Sequence, residues 1–155
     1  MSEKEIQIRK AEPTDIETIT AFNQAMARET EGKSLDSDVA HRGVEAVFRS
    51  PDKGFYLIAE IEGEVVGSLL ITYEWSDWRS GNFWWIQSVY VVRKWRRRGV
   101  YRALHQFVCE TARAREDVCG IRLYVSRDNP IARQTYARLG MTQSHYDMFE
   151  IDFVL

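Results

Sequence analysis

The clearest structural signal in the chain is the segment Val89-Tyr-Val-Val-Arg-Lys-Trp-Arg-Arg-Arg-Gly-Val-Tyr-Arg-Ala-Leu104. An apolar strand leads into an arginine-rich turn that contains Gly99, and a helical pattern follows. The first turn of a helix leaves about four backbone N–H groups without intrahelical acceptors, and the helix dipole adds partial positive charge there. Glycine lets the backbone turn sharply and lets a ligand approach it closely. Taken alone, the stretch fits either a phosphate-binding turn or a solvated surface turn.

The positive charge of the chain is concentrated in this turn. The sequence holds 21 Lys plus Arg against 23 Asp plus Glu, and five of the positive residues fall between Arg93 and Arg98. The near balance disfavours a nucleic-acid or membrane-surface binder held by bulk electrostatics. A nucleic-acid module that uses this cluster, with Trp95 as a stacking residue, is the alternative from another class. It would need basic residues on several elements.

Length and hydropathy limit the organisation of the chain. A sequence of 155 residues has the size of one ordinary domain, so we predict a single domain over residues 1–155. No apolar run has the length of a signal peptide or a membrane span, so we expect a cytoplasmic protein without a membrane partner. The three histidines are dispersed without ligand spacing, and we predict no metal site.

The apolar periodicity predicts an α/β fold with element order β-α-α-β-β-β-α-β-α-β. A central mixed, mostly antiparallel sheet of six to seven strands should carry helices on both faces. Helices are expected over residues 13–30, around 39–50, from Gly99, and from an Asn129 N-cap to Leu139-Gly140. Strands are expected over 6–9, 55–61, 65–75, 83–92, 121–126 and from about 141 to 155, with a tight turn at Gly63.

The predicted topology places a crevice beside the arginine-rich turn. Strand 83–92, the helix after Gly99 and strand 121–126 form a crossover, which is right-handed when it joins parallel strands. Open α/β sheets bind ligands where such strands diverge next to a helix N-terminus. The phosphate interpretation and the topology therefore indicate the same place.

Two motifs resemble the GCN5-related N-acetyltransferase (GNAT) family. Arg96-Arg97-Arg98-Gly99-Val100-Tyr101 is similar to the family's phosphate-loop pattern Gln/Arg-x-x-Gly-x-Gly/Ala, with Tyr101 in place of the usual small residue. The run from Asn129 to Tyr136, followed by Leu139-Gly140-Met141, is similar to Asn-x-x-Ala-x-x-x-Tyr and then Gly-Phe. The resemblance covers essentially the whole chain.

The resemblance implies an enzyme that acetylates an amine with acetyl-coenzyme A as co-substrate and without a metal. By position, backbone groups of the strand at Val89, Tyr90 and Val91 would pair with the pantetheine arm. The turn would bind the pyrophosphate, and the fourth helix would lie near the pantetheine and the sulfur. The implied cofactor-binding residues beyond the strand are Arg96, Arg97, Arg98, Gly99, Val100, Tyr101, Arg102, Asn129 and Ala132.

Acyl transfer in a ternary complex needs a neutral amine, a stabilised oxyanion and a proton for the departing thiolate. Tyr136 is the candidate general acid, although a core tyrosine would show the same pattern. The oxyanion donor implied by the family is a backbone N–H of the strand at Val89 to Val91. Glu74 and Asp77 are the candidate bases, and Glu74 is preferred because it lies on a strand.

The acceptor is expected to be a primary amine of a small molecule, such as a diamine, a polyamine or another cationic amine. An acidic rim and several tryptophans could attract it by charge and cation–π contact, although a run such as Phe83 to Ile86 also fits a sheet core or a dimer face. These residues are Glu29, Glu31, Asp36, Asp38, Asp77, Trp75, Trp78, Trp84 and Trp85.

Other functions and assemblies remain open. The chain could acetylate a peptide or protein amine, or it could bind acyl-coenzyme A without turnover. The alternation of Phe149, Ile151, Phe153 and Leu155 suggests a homodimer, and core burial would explain the same pattern.

Overall fold

The computed structural model describes residues 4–154. Its strands are β1 (Ile6–Lys10), β2 (Phe55–Ile61), β3 (Glu64–Ser76), β4 (Gly81–Val91) and β5 (Val118–Arg122), and its helices are α1 (Ile16–Glu31), α2 (Ser37–Arg49), α3 (Val100–Arg113) and α4 (Pro130–Arg138). The contacts divide the chain into two compact units, one ending at Leu123 and the other starting at Tyr124. The expectation of a single domain stays a prediction.

The first unit is built on one sheet in the order β1-β2-β3-β4-β5. The first three pairs of strands are antiparallel, and β4 pairs with β5 in parallel. The predicted mixed, mostly antiparallel sheet with helices on both faces is confirmed. The predicted number of strands is wrong, since the described residues contain five.

The missing strands are those expected between residue 141 and residue 155. No strand forms in the described part of this segment, residues 141–154, and Leu155 lies outside the described residues. Alternating apolar residues indicate only a preference for extended backbone. A strand also requires a neighbour that accepts and donates its ladder hydrogen bonds, and the alternation does not supply one.

Strand β5 starts earlier and ends earlier than predicted. It spans Val118–Arg122 rather than 121–126 because its ladder follows the first half of β4. The N–H of Asn82 donates to the carbonyl of Asp117 at 2.8 Å, and the paired register ends at Trp85 and Arg122. Beyond that pair β5 leaves β4, so residues 123–126 form no ladder with it.

The sheet has a distinct apolar core on each face. Helix α3 packs Val100, Leu104 and Val108 against one face, together with Leu57, Leu69 and Trp84. Helices α1 and α2 pack Ile19 and Val44 against the other face, over Tyr56 and Ile58. The period-2 alternation along β2 explains this division, because Leu57 and Ile58 point to opposite sides.

The predicted tight turn at Gly63 has the expected geometry. Glu62 and Gly63 connect β2 to β3 with φ of 51° and 79°, the pair of positive angles that a type I′ hairpin needs. The first predicted helix begins as a short 3-10 turn over Pro13–Asp15 before α1. Asp15 accepts from the N–H of Glu12 at 2.7 Å and forms a bidentate ion pair with Arg9 at 2.7 and 2.9 Å.

The second unit contains α4. The side chain of Asn129 caps this helix, because its Oδ1 accepts from the N–H of Ala132 at 3.1 Å. Pro130 occupies the first helical position, and Gly140 follows the helix with φ of 90°. The predicted cap, start and end of this helix are confirmed.

Candidate functional site

The crevice of the first unit starts where β4 and β5 separate. Their parallel register ends at Trp85 and Arg122, whereas β4 continues to Val91. Antiparallel β3 covers one edge of this part of β4, and β5 leaves the other edge. The backbone of Val89, Tyr90 and Val91 therefore lies on a strand segment with one edge outside the β4–β5 ladder.

A β-bulge changes the direction of β4 just before these residues. In the register with β3, Ser68 faces Tyr90 but Leu70 faces Gln87, so β4 carries one extra residue there. Ser88 within the bulge has φ of 50°, a left-handed conformation that is uncommon for a residue with a side chain. Bulges re-aim the backbone and side chains next to them, and this one precedes Val89.

The predicted phosphate turn combines left-handed backbone with a helix N-terminus that no side chain caps. After β4 a short 3-10 turn covers Arg93–Trp95, and Arg97 and Gly99 then adopt φ of 63° and 83°. Gly99 is the N-cap of α3, and no side chain caps that end. The N–H groups of the first turn of α3, which starts at Val100, consequently have no intrahelical acceptors and point at the space before the helix.

The arginines of the turn fall into two groups, and the first is bound within the protein. Arg96 donates to the carbonyl of Val91 at 2.9 Å and to Glu29 of α1 at 2.8 Å. Arg93 donates to the same carboxylate at 3.1 Å. The Arg96 and Arg93 contacts lower the pKa of Glu29, so this carboxylate stays ionised. Arg96 therefore holds the turn to α1 rather than presenting a free guanidinium.

The guanidinium groups of the second set of arginines remain available to a ligand. Arg98 lies over the Trp95 ring at 5.5 Å. Within residues 4–154 the side chains of Arg97 and Arg102 form no ion pair. These guanidinium groups sit on the turn and on the first turn of α3, where an anion would meet them.

Tyr101, the residue that departs from the family pattern, packs along α3. Its hydroxyl lies 3.4 Å from Nδ1 of His105, and the two rings are 5.8 Å apart. His105 is buried, and burial lowers the pKa of its imidazole. Because the phenol reaches one turn further along α3, its bulk lies beside the helix.

Gly67 of β3 is a site residue that the sequence pattern did not indicate. A Cβ at this position would lie 2.9 Å from the carbonyl oxygen of Tyr90 and 3.2 Å from Cγ1 of Val100. The missing side chain lets the end of β4 and the start of α3 approach β3 closely. Only the packed structure reveals this, because an isolated glycine in a strand predicts no particular neighbour.

Glu74 of β3 binds residues of β4 and β5 at the point where those two strands separate. Its Oε1 accepts from Nε1 of Trp85 at 2.8 Å and from Nη1 of Arg122 at 3.0 Å. These contacts lower the pKa of Glu74, with the Trp85 bond as the largest cause. Ser88 lies five positions along β4 from Phe83, the register partner of Glu74, which is about 17 Å of strand.

Asp77 and the exposed tryptophans lie further still from the bulge, at the turn that connects β3 to β4. Asp77 is in the exposed turn between β3 and β4, next to Trp75 and Trp78, which are 60% and 89% exposed. Trp84 is buried in the core beneath α3, as the alternative interpretation of the Phe83 to Ile86 run predicted. Both proposed bases thus lie before the bulge, Asp77 in the β3–β4 turn and Glu74 beside Trp85 and Arg122, where the crevice starts.

The expected acidic rim is largely used by the fold. Glu29 is paired with two arginines, and Asp36 caps α2 by accepting from the N–H of Val39 at 3.0 Å. Glu31 lies 3.7 Å from Lys33, and Asp38 is exposed in the first turn of α2. The negative charge available to an acceptor is therefore smaller than the sequence suggests.

The second unit holds the other predicted site residues. Asn129 and Ala132 share the cap hydrogen bond of α4, and Tyr136 lies one turn further on the same helix. Burial raises the pKa of the Tyr136 phenol, so the hydroxyl keeps its proton through the neutral range. That state is the one a general acid needs.

Within the described residues, 4–154, no helix has the length and apolar character needed to cross a membrane. In the same residues no group of three or more His, Cys, Asp or Glu side chains is arranged to hold a metal ion.

The chain matches known proteins over almost its full length. Residues 17–141 match the model described as the acetyltransferase (GNAT) family. A possible acetyltransferase from Clostridium difficile 630 is 43% identical, with 97% of this chain and 99% of that chain covered and a TM-score of 0.90. No curated protein sequence matches significantly.

Two more distant structures share the fold. A ribosomal-protein-alanine N-acetyltransferase from Brucella melitensis biovar Abortus 2308 is 15% identical, covers 96% and 100% of the two chains, and has a TM-score of 0.76. The aminoglycoside N-acetyltransferase AAC(6')-Iy in complex with CoA is 16% identical, covers 97% of each chain, and has a TM-score of 0.77. The family match and the 43% identical structure together decide the assignment: this chain belongs to the GNAT family of acetyltransferases.

Proposed function

We propose that the chain transfers an acetyl group from acetyl-coenzyme A to the primary amine of a small molecule, by direct attack in a ternary complex. The observation that carries the proposal is the geometry at the end of β4. A bulged strand with one edge outside the ladder leads into a turn with Gly99 at φ of 83°, and α3 begins there without a side-chain cap. This arrangement suits an extended arm that ends in a pyrophosphate.

In the proposed binding mode, backbone groups of Val89, Tyr90 and Val91 pair with the pantetheine arm. N–H groups of the turn and of the start of α3 hold the pyrophosphate, with Arg97, Arg98 and Arg102 adding charge-assisted bonds. Asn129 and Ala132 complete the proposed set on α4. The CoA complex of the distant aminoglycoside acetyltransferase gives the same class of co-substrate in a protein of this fold.

In the proposed reaction the amine nitrogen attacks the thioester carbonyl. A backbone N–H of the strand at Val89 to Val91 stabilises the oxyanion. The C–N bond forms first and gives the tetrahedral oxyanion, and the C–S bond breaks when this intermediate collapses. The amine proton leaves to a base, and the thiolate takes a proton from Tyr136. Glu74 and Asp77 are the proposed bases. Since Asp77 lies in the β3–β4 turn and Glu74 is bound by Trp85 and Arg122, either would act through water rather than by direct contact.

The acid role of Tyr136 predicts a specific kinetic loss. Tyr136→Phe should lower kcat about 100-fold, because the thiolate would depart without its proton donor. The pKa of this phenol is raised above its ordinary value of 10.0. The activity of the wild-type enzyme should therefore persist up to pH 10.0 and fall only above it, where the Tyr136 hydroxyl ionises. Rates measured against pH test this, with Tyr146→Phe as the control; an unchanged kcat for Tyr136→Phe would remove the role.

A thiol-release assay over an amine panel tests the proposed function as a whole. The panel contains polyamines, aminoglycosides, amino acids and peptide N-termini, each with acetyl-coenzyme A at a fixed concentration. We expect release with a small cationic amine. Release only with peptide N-termini would indicate the peptide or protein alternative. Tight binding of acetyl-coenzyme A without release over the whole panel would indicate a non-catalytic binding module.

A homodimer is part of the proposal. Phe149, Ile151 and Phe153 are 95%, 82% and 92% exposed, and exposed apolar side chains in one short segment favour association. Residue Leu155, the last in the alternating series, lies outside the described residues. The occupant that we propose for this surface is a second copy of the chain.

A further inference from the structure

A second cavity lies beneath the opposite end of α3. It has a volume of about 440 Å³, and its walls include Phe107 and Thr111 of the helix and Trp84 of the sheet. From Val100 to Thr111 the helix extends about 16 Å. The cavity therefore lies far from the phosphate turn, and none of its lining residues belongs to that turn or to the bulged part of β4.

Aromatic side chains form much of the wall. Phe55, Tyr73, Trp84 and Phe107 come from β2, β3, β4 and α3. The rings of Phe55 and Trp84 meet edge to face with centroids 5.2 Å apart, and Phe55 and Tyr73 lie 6.4 Å apart. Rings presented from several directions suit a flat apolar ligand that can stack on one and meet the edge of another.

The charges at the cavity are not balanced. Arg115 and Asp117 bind each other through two hydrogen bonds of 2.9 and 2.8 Å. Lys10 lies over the Phe55 ring at 5.6 Å and forms no ion pair with any of the described residues, 4–154. One carboxylate thus faces two cations, and the uncompensated charge belongs to Lys10.

This arrangement favours an anion over a cation. An aromatic cavity can bind a cation through its ring faces, but here the protein's own cations already lie over two of the four rings. Lys10 lies over Phe55, and Arg115 lies 6.0 Å over Trp84. A cationic ligand would meet like charges, and the carboxylate of Asp117 is already bound. An anion would instead pair with the free ammonium of Lys10.

Neutral hydrogen-bond donors at the cavity also favour an anion. Asn82 and Thr111 line the cavity, and within residues 4–154 neither side chain makes a hydrogen bond. Burial raises the pKa of the Tyr73 phenol, so that group remains protonated and able to donate. Each of these groups has an N–H or O–H to offer to a carboxylate.

We propose that this cavity is a binding site for a small planar aromatic carboxylate. The ring lies among Phe55, Trp84 and Phe107, and the carboxylate pairs with Lys10. The cavity is separate from the proposed acetyl-transfer site, so a test of ligand binding in the cavity is independent of a test of acetyl transfer.

Calorimetric titration of the full chain with three matched probes tests the class of ligand. Benzoate, benzyl alcohol and benzylamine share a ring and differ in charge. At constant ionic strength we expect benzoate to bind at least fivefold more tightly than benzyl alcohol, and benzylamine to bind more weakly than both. Equal affinity of the three probes, no binding of benzoate, or preference for benzylamine would overturn the proposal.

Substitutions locate the binding to this cavity. Lys10→Met should weaken benzoate binding at least fivefold and leave benzyl alcohol within twofold, while Lys33→Met, at an exposed lysine elsewhere, should change neither. Thr111→Met keeps a helix-forming residue and fills the cavity, so both probes should bind more weakly. Circular dichroism checks that each variant is folded. Benzoate affinity that stays the same in Lys10→Met and in Thr111→Met would refute the proposed site.

Discussion

At the scale of single residues, positions without a side chain shape the proposed co-substrate site. Gly99 holds the left-handed conformation that starts α3, and Gly67 lets Tyr90 and Val100 approach β3. The two glycines act for different physical reasons. A Cβ at Gly99 would meet nothing within 4 Å but would strain the backbone, whereas a Cβ at Gly67 would collide with a carbonyl oxygen.

Gly99→Ala should therefore impair the turn without creating a clash. A left-handed conformation costs a residue with a Cβ about 1–2 kcal/mol, so the free energy of unfolding should fall by that amount. The strained turn should also raise the KM for acetyl-coenzyme A several-fold. Gly63→Ala is the matched control, because Gly63 has φ of 79° and equally open surroundings. It should lose similar stability with an unchanged KM. Equal KM values for both variants would contradict the proposed role of Gly99.

Asp15 gives a residue-scale prediction for stability. Asp15→Asn should lower the free energy of unfolding by about 1–3 kcal/mol, because a nearly buried carboxylate loses its charge-assisted bonds to Arg9. The exposed pair of Lys4 and Glu62 provides the control, and Glu62→Gln should change stability by less than about 0.5 kcal/mol. Urea denaturation measures both changes.

The effect of Asp15 should also depend on pH. Hydrogen bonding to Arg9 lowers the pKa of this carboxyl below its ordinary value of 3.8. A depressed carboxyl pKa gives stability that is fully present above the unfolded value and lost as pH falls through the folded value. The difference between the wild-type protein and Asp15→Asn should thus be constant above about pH 5 and shrink below pH 3.8. A difference that grew on acidification would contradict the ion pair.

At the scale of elements, two carboxylates connect parts of the sheet to the site. Glu29 links α1 to the arginine turn through Arg93 and Arg96. Glu74 links β3 to Trp85 of β4 and Arg122 of β5, at the last pair before those strands separate. Both contacts fix the ends of elements that the proposed co-substrate would touch.

Glu74→Gln separates a positioning role from a role as base. Glutamine keeps an oxygen that accepts from Trp85 and loses the charge that pairs with Arg122. For a positioning residue, we expect KM to rise about two- to tenfold while kcat/KM keeps its acidic limb against pH. For a base, the acidic limb itself should disappear. Trp85→Phe is the companion variant, because it removes the hydrogen bond from Trp85 to Glu74 and leaves the carboxylate in place.

At the scale of the whole molecule, the proposed homodimer is open to direct measurement. The monomer has a mass of 18.1 kDa, so sedimentation equilibrium should give about twice that mass at micromolar concentration. The double substitution Ile151→Ser and Phe153→Ser should shift the mass toward the monomer, because it removes two exposed apolar side chains. The pair Glu150→Gln and Asp152→Asn in the same segment is the control. A monomer at all concentrations for the wild-type protein would refute the dimer.

The sequence predicted most of the elements because their signals are local. The Asn129 cap with Pro130, the Glu62-Gly63 turn and the period of α3 each lie within a few residues. The same is true of the anion turn, whose strand, glycine and helix start are consecutive. Two motifs of this local kind were enough to indicate the family that the structure and the comparisons then established.

Tertiary structure decided the features that depend on distant partners. The end of β5 at Arg122, the bulge at Ser88 and the absence of a strand in residues 141–154 all depend on which strand supplies a ladder. Only packing shows that Arg96 is bound by Glu29 and that Glu74 is held by two neighbours. A sequence fixes local backbone preference and residue chemistry, whereas hydrogen-bond partners far apart in the chain become definite only when the elements are packed together.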